Sequence, residues 1–135
     1  MSSFNSQPIT PPKIGAVILA AGQSRRMGQP KMVLPWGETT VIARVAEVLL
    51  EAGLAEVIVV TGGSYTEVET ALQHLQVQTI FNPQYTDNNM LRSLQVGLGM
   101  HHENIQATLV ALGDQPQIEV DTARALAEAY QETGP

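Results

Sequence analysis

Apolar residues form a continuous run from Ile14 to Ala20, just before Gly22. A run of this kind predicts a strand that is buried on both faces. The segment that follows, to Gly37, is rich in glycine, proline and charge, and we interpret it as a long loop. From Val41 the apolar residues recur every three or four positions, which predicts an amphipathic helix. The first unit of the chain is therefore strand, loop and helix.

The same alternation continues along the chain. Gly53 is placed to end the first helix, and short apolar runs at 57–61, 77–81 and 108–112 predict three further strands. Ser64 and Glu67 have the form of a capping box, which predicts that a second helix begins there. The turn Asn82-Pro83 ends the third strand.

Two more helices complete the predicted pattern. Asn88 or Asn89 is placed to cap a third helix, whose apolar face we expect to carry Leu91, Leu94 and Leu98. An alanine-rich segment from about 120 to 130 predicts the fourth helix. Strands that alternate with helices predict an α/β fold: a Rossmann-like three-layer α/β/α sandwich with a mainly parallel sheet.

Length and composition bound the organisation of the chain. Its 135 residues, 44% of them hydrophobic, suffice for one domain with a single core. We interpret residues 1–12 as a mobile N-terminal tail, because they are rich in serine and proline and lack the pattern of a secretion signal. The absence of cysteine fits a cytoplasmic location. No apolar run is long enough to span a membrane.

Charge singles out one segment. The net charge of -6 argues against a broad surface for nucleic acid, yet three of the seven basic residues, Arg25, Arg26 and Lys31, lie close together. Glycines that let the backbone approach a ligand, together with clustered cations, predict a phosphate site. The spacing matches neither the P-loop nor the dinucleotide-binding pattern.

Polar residues follow the predicted strands at the points where ligands bind in open α/β sheets. The loop of residues 22–31 follows the first strand, Asn82 the third and Asp114 the fourth. An aspartate in a Gly-Asp-x-Pro turn is by itself most often a turn former, so the position of Asp114 alone assigns no metal. His74, His101 and His102 show no metal-ligand spacing, and we expect all three at the surface.

These segments together resemble a known family. The sequence LAAGQSRRMGQPK over residues 19–31, then Asn82-Pro83, the stretch 89–98 and Gly113-Asp114-Gln115-Pro116 are similar, in order, to the signature of the MobA-like nucleotidyltransferases. These include the molybdenum cofactor guanylyl- and cytidylyltransferases, and the last segment resembles the cytidylyl branch. The resemblance implies the nucleotide-diphospho-sugar transferase fold. It also implies that residues 13–135 form the N-terminal nucleotide-binding portion of a domain that is longer in other members.

The resemblance also implies an activity and a set of site residues. The expected reaction transfers CMP from CTP to the terminal phosphate of the molybdopterin-type molybdenum cofactor, releasing pyrophosphate. Arg26, Lys31 and Asp114 are the expected catalytic residues, with Asp114 also holding Mg²⁺. The expected nucleotide-binding residues are those of the glycine loop and two that follow later, namely Leu19, Ala20, Ala21, Gly22, Ser24, Gly28, Asn82 and Ser93.

Several alternatives remain at this point. The chain could transfer a cytidylyl, uridylyl or guanylyl group to another phosphorylated acceptor, or act as a noncatalytic module that binds nucleotide, a molybdoenzyme or its maturation factor. Ala21 stands where guanylyltransferases of the family more often have glycine, so we expect CTP to be preferred over GTP. Because family members extend beyond the fourth strand, we also expect that strand to have an open edge and to support self-association.

Overall fold

A computed structural model describes residues 13–22, 25–26, 28–87 and 90–133. The side chains of residues 25, 87 and 133 are not described. The predicted mobile tail, the candidate Ser24 and the predicted helix caps Asn88 and Asn89 all lie outside the described residues.

The predicted alternation of strands and helices is confirmed. The elements are strand β1 (Lys13–Ala20), helix α1 (Val41–Glu51), β2 (Val57–Thr61), α2 (Tyr65–Leu72), β3 (Gln78–Phe81), α3 (Met90–Met100), β4 (Ile105–Leu112) and α4 (Val120–Thr133). The four strands form one parallel sheet in the order β3-β2-β1-β4. The fold is therefore the expected α/β type with a parallel sheet.

The long loop between β1 and α1 is more ordered than the sequence indicates. Two antiparallel ribbons of two-residue strands occur in it, one pairing 25–26 with 29–30 and the other pairing 35–36 with 39–40. A short 3-10 helix, Lys31–Val33, lies between them. Gly28 makes the turn of the first ribbon with a φ of 77°, in the region that favours glycine.

Three helices cover one face of the sheet. Thr40 caps α1 by accepting a hydrogen bond from the backbone N–H of Ala43 through its Oγ1 at 3.2 Å, and Gly53 ends the helix with a φ of 88°. α1 packs its apolar side on β1 and β2, with α2 and α4 beside it. This face holds the larger part of the core.

Among the described helices, α3 covers the other face, and its predicted apolar side is only partly right, since Leu94 packs against the buried cluster of Val17, Ile58 and Val60. Leu91 and Leu98 are exposed, while Ser93 and Gly97 are buried. A Cβ added at Gly97 would lie 2.7 Å from a methyl of Val17, so glycine lets the helix approach the sheet closely. The close approach, and not a row of leucines, decides which side of α3 faces inward.

Strand β4 also departs from expectation. Its apolar sequence predicts burial on both faces, but its residues are mostly half-buried or exposed, and Val110 is 44% exposed. Val110 is in register with Val17 and faces the same side of the sheet. On that side α3 packs over β1 and β2 and leaves Val110 exposed. Among the described residues β4 pairs only with β1. The open edge is thus present, and self-association through it stays a prediction that light scattering would check.

Two smaller predictions are wrong. The capping box at Ser64 is absent: α2 begins directly after Ser64 as predicted, but the Ser64 side chain forms no capping hydrogen bond, and its ψ of 29° is far from the extended backbone of a usual N-cap. His101 is not at the surface: its side chain is 7% exposed and lies beside Glu56. None of the helices in the described part of the chain combines the length and apolar character needed to cross a membrane.

Candidate functional site

A cleft of about 250 Å³ opens at the carboxyl edge of the sheet. Six of the predicted site residues line it, from the ends of β1 and β4, the 3-10 helix and α3: Leu19, Ala21, Gly22, Lys31, Ser93 and Asp114. The structure therefore brings most of the candidates into one cavity, where the rule for open α/β sheets places a ligand.

The other candidates lie around this cleft. Ala20 is buried in the core, and Asn82 is buried next to Ser93. Arg26 and Gly28 belong to the exposed first ribbon and are not among the residues that line the cleft. A role for Arg26 in phosphate binding therefore stays a prediction.

Glycine at position 113 places Asp114 at the cleft. The backbone N–H of Gly113 donates to the carbonyl oxygen of Leu19 at 2.9 Å, which ties the end of β4 to the end of β1. A Cβ at this position would lie 2.8 Å from the Cδ1 of Ile42 and 3.1 Å from the Leu19 oxygen. The absence of a side chain thus lets the strand end close on its neighbour and holds Asp114 beside the glycine loop.

Asn82 fixes the hydrogen-bonding role of Ser93. The Oδ1 of Asn82 accepts from the backbone N–H of Gln84 at 2.9 Å, so its Nδ2 must face the other way. That Nδ2 donates to the Oγ of Ser93 at 2.9 Å. Because one lone pair of the hydroxyl is already used, the proton of Ser93 remains available for an acceptor in the cleft.

Lys31 and Asp114 supply opposite charges to the cleft. Both are exposed, and neither forms an ion pair with another described residue. No group of three or more histidines or acids is placed to hold a metal ion within the described ranges. One exposed carboxylate beside a lysine fits a divalent cation that takes its remaining ligands from phosphate and water.

Sequence reasoning missed four cleft residues, Met32, Tyr85, Met90 and Leu112. Leu112 ends β4, Met90 begins α3, and Met32 lies in a 3-10 helix that the sequence does not predict; none of these three carries a charged or hydroxyl group. Only the position of Tyr85, three residues after Asn82, could have predicted its place in the cleft, since an aromatic residue just beyond a strand end lies at the ligand-binding edge.

Comparison with known proteins identifies the family. Residues 16–135 match the family model described as the MobA-like NTP transferase domain. A nicotine blue oxidoreductase from Paenarthrobacter nicotinovorans is 30% identical over 121 residues, which are 89% of this chain and 58% of that protein. The molybdenum cofactor cytidylyltransferase of Escherichia coli K12 is 30% identical over 114 residues, which are 84% and 57% of the two chains.

Solved structures show the same fold. A nucleotidyl transferase from Methanothermobacter thermautotroptrophicus has a TM-score of 0.76 and 36% identity, covering 86% of this chain and 57% of that one. Rv0371c from Mycobacterium tuberculosis in complex with manganese has a TM-score of 0.74 and 28% identity, covering 89% and 60%. The chain thus spans somewhat more than half the length of these relatives.

Proposed function

Because the chain belongs to the MobA-like NTP transferase family, we propose that it takes part in nucleotidyl transfer from a nucleoside triphosphate to a phosphorylated acceptor. The observation that carries the proposal is the cleft, which collects Lys31, Ser93, Asp114 and the glycine loop at the carboxyl edge of a parallel sheet. The preferred substrates are CTP and the terminal phosphate of a molybdopterin-type molybdenum cofactor. The similarity to a cytidylyltransferase named for that cofactor supports this choice.

The strand order supports an orientation of the proposed ligand along the cleft. Tyr85 follows β3 and Asp114 follows β4, at opposite ends of the order β3-β2-β1-β4. The Cβ of Tyr85 lies over Gly62, which follows β2, so two strand spacings of about 4.8 Å, or about 10 Å, separate Tyr85 from the β4 end, enough for a base and its phosphates to lie apart. The charged residues Asp114 and Lys31 then receive the phosphates, and the base lies toward β3.

The proposed reaction is a displacement at the α-phosphate. An oxygen of the acceptor phosphate forms a bond to the α-phosphorus, and the bond from this phosphorus to the oxygen bridging to the β-phosphate breaks, so that pyrophosphate leaves with the electron pair. Little covalent chemistry falls to the protein, which acts by positioning and charge neutralisation. The ammonium group of Lys31 counters the charge that grows on the leaving pyrophosphate. Arg26 is proposed to assist it.

A divalent cation, Mg²⁺ in the proposal, would be held by Asp114 and would neutralise charge on the phosphate oxygens. The single exposed carboxylate fits such an ion, which typically keeps several waters and binds substrate phosphates. The manganese complex of a structural neighbour supports a divalent ion in this fold. The identity of the metal remains part of the proposal.

Ser93 and Ala21 are proposed to contact the base. The hydroxyl proton of Ser93, left available by the hydrogen bond from Asn82, suits a ring acceptor such as a pyrimidine oxygen. Ala21 lines the cleft, and its Cα and carbonyl oxygen are packed close to Gly62, so the residue cannot easily retreat. A methyl at this position narrows the site and favours the smaller base of CTP.

Pyrophosphate release is the decisive measurement. The chain should release pyrophosphate from CTP faster than from GTP or UTP, only with the acceptor present and only with a divalent cation. Release of pyrophosphate with a different phosphorylated acceptor would support transfer to that acceptor instead. If CTP binds but no acceptor yields pyrophosphate, the chain is a noncatalytic nucleotide-binding module, and the proposed activity is wrong.

A further inference from the structure

Tyr85 lies where β3 meets the cleft, and its backbone is fixed. It begins a short 3-10 turn, Tyr85–Asp87, and its N–H donates to the carbonyl oxygen of Asn82 at 3.2 Å. The residue is half-buried and lines the same cleft as Ser93. Its ring is therefore part of the cleft wall without being part of the core.

Two glycines provide the surface on which the Tyr85 side chain rests. A Cβ added at Gly63 would lie 2.9 Å from the Cε2 of Tyr85 and 3.3 Å from its Cζ. A Cβ at Gly62 would lie 2.8 Å from the Cβ of Tyr85 and 2.7 Å from the carbonyl oxygen of Ala21. Any larger residue at either position would displace the tyrosine or the glycine loop. The pair Gly62-Gly63 is thus more than a strand-to-helix turn.

A second aromatic ring supports Tyr85 from another direction. The Phe81 ring lies 5.8 Å from the Tyr85 ring, centroid to centroid, at an angle of 59°. Tyr65 in turn packs edge-on against Phe81 at 5.3 Å. A ring held by glycine backbone and by a neighbouring ring has little freedom left to lose when a ligand binds, which favours affinity.

The rest of the cleft suits a flat ring. Met90 lines it together with Tyr85, and a thioether sulfur atom makes favourable contacts with aromatic rings while adapting to their shape. Tyr85 lies at the β3 end of the cleft, away from Asp114. The phosphates and the ring of one ligand can therefore occupy different parts of the cavity.

We propose that Tyr85 is a substrate-contacting residue against which a planar heteroaromatic ring of the ligand stacks, and that Gly62 and Gly63 are the positioning residues that set its ring. The proposal rests on the proposed function, because it takes a nucleotide or its acceptor as the ligand. The ring has two possible sources, the nucleobase and the pterin of the acceptor, and both offer the same flat face.

The test is a calorimetric titration of the full chain and its variants in the presence of Mg²⁺, with CTP, inorganic tripolyphosphate and a pterin monophosphate as separate probes. Tyr85→Leu should weaken CTP binding about tenfold if the base stacks on it. Tyr85→Phe keeps the ring and should bind as the wild type does. Gly63→Ala should reproduce the loss by displacing the ring, and Tyr130→Leu, which alters an aromatic residue of α4 outside the cleft, should not.

Tripolyphosphate carries no ring, so its affinity should be the same in every variant. A loss for the pterin probe alone would assign the stacked ring to the acceptor and would also support the proposal. Equal losses for CTP and tripolyphosphate, or no loss for any probe in Tyr85→Leu, would overturn it. If the wild-type chain binds CTP but Tyr85 is indifferent, only this inference fails. If the wild-type chain binds none of the probes, the proposed function fails with it.

Discussion

The two edges of the parallel sheet use polar residues in opposite ways. At the carboxyl edge, Lys31 and Asp114 are exposed in the cleft and form no ion pair with other described residues. At the amino edge, His101 is enclosed by partners: its Nδ1 lies 2.7 Å from the Oε1 of Glu56, and its Nε2 lies 3.0 Å from the Oγ1 of Thr108. The polar side chains at the amino edge are hydrogen-bonded to one another, whereas the two charges at the carboxyl edge have no partner among the described residues.

The amino edge is built for this enclosure. A Cβ added at Gly15 would lie 2.5 Å from the Cε1 of His101, so β1 has glycine where the imidazole crosses it. The backbone N–H of His102 donates to the same Glu56 oxygen at 3.0 Å. These contacts join the end of α3 to β4 and to the segment before β2.

The contrast teaches how to separate structural from functional polar residues in this fold. A buried polar group that is fully hydrogen-bonded stabilises the fold and leaves nothing for a ligand. Lys31 and Asp114 gain no such compensation from their neighbours, so their conservative replacement should alter binding and spare stability. Substitutions at the two edges should therefore give opposite patterns of stability and ligand binding.

The largest effect is expected from Asp114→Asn. The variant keeps the size of the side chain but removes the charge that would hold the metal ion, so pyrophosphate release should fall a hundredfold or more, roughly the loss seen when one electrostatic contact of a transition state is removed. The melting temperature should stay unchanged, because the carboxylate supports no other described residue. Glu119→Gln removes an exposed charge from the same connection to α4 and is the control. Equal losses in both variants would attribute the effect to bulk charge.

The next effect is on stability and concerns Glu56→Ala. This change leaves the His101 imidazole and the His102 N–H without their acceptor, and an unpaired buried group costs about 2 kcal/mol of unfolding free energy. Urea unfolding measures the loss, and CTP affinity should not change. Glu103→Ala, an exposed glutamate on the loop before β4, should be neutral. Loss of CTP binding in Glu56→Ala with stability retained would contradict the division between the two edges.

The stabilisation by Glu56 should also depend on pH. Burial raises the pKa of its carboxyl group, but hydrogen bonds from His101 and the His102 N–H, with the charges of both imidazoles, outweigh it, and the pKa is lowered below its ordinary 4.5. A carboxyl group with a lowered pKa stabilises the fold above its unfolded pKa and loses this effect as the pH falls through the folded value. The difference between wild type and Glu56→Ala should thus be full above about pH 4.5 and shrink below it.

Lys31→Ala should weaken CTP binding about tenfold, because it removes one charge-assisted contact to phosphate. Arg26→Ala should have a smaller effect, since the sequence assigns both residues to the phosphates but only Lys31 lines the cleft. Lys13→Ala, which removes a lysine from the amino edge, is the matched control. Calorimetry at two salt concentrations separates the loss of a direct contact from the loss of long-range electrostatic attraction. A larger loss of CTP affinity for Arg26→Ala than for Lys31→Ala would contradict the placement of the phosphates.

The sequence predicts features that depend on residues close together in the chain better than features that depend on contacts between distant residues. Periodicity locates the four strands of the parallel sheet and the four α-helices, because the burial of one face shows in the local sequence, as in Val41–Glu51. It does not locate the short ribbons and 3-10 helices outside these elements. The charged cleft residues Lys31 and Asp114 and the hydroxyl of Ser93 are also predicted, since their chemistry is visible in the sequence. Side-chain partners distant in the chain are not: the enclosure of His101 depends on Glu56, 45 residues away. The inward side of α3 depends likewise on the close approach of Gly97 to Val17.

The smallest expected effect concerns the choice between bases. Ala21→Gly removes one methyl from the cleft, and a methyl group corresponds to about 0.8 kcal/mol of apolar contact, so the ratio of CTP to GTP affinity should fall about fourfold. The ratio is the quantity to measure, because any extra flexibility that glycine gives the loop affects both nucleotides alike and cancels. Tripolyphosphate affinity is the internal control and should stay constant. Gly62 packs against the backbone of Ala21, so the loop should not collapse into the space that the methyl leaves.

If the wild type binds GTP as tightly as CTP, the methyl of Ala21 does not select the base. If the wild type prefers CTP but the variant keeps the same ratio, the preference arises elsewhere, and Ser93, whose proton is directed by Asn82, becomes the residue to test.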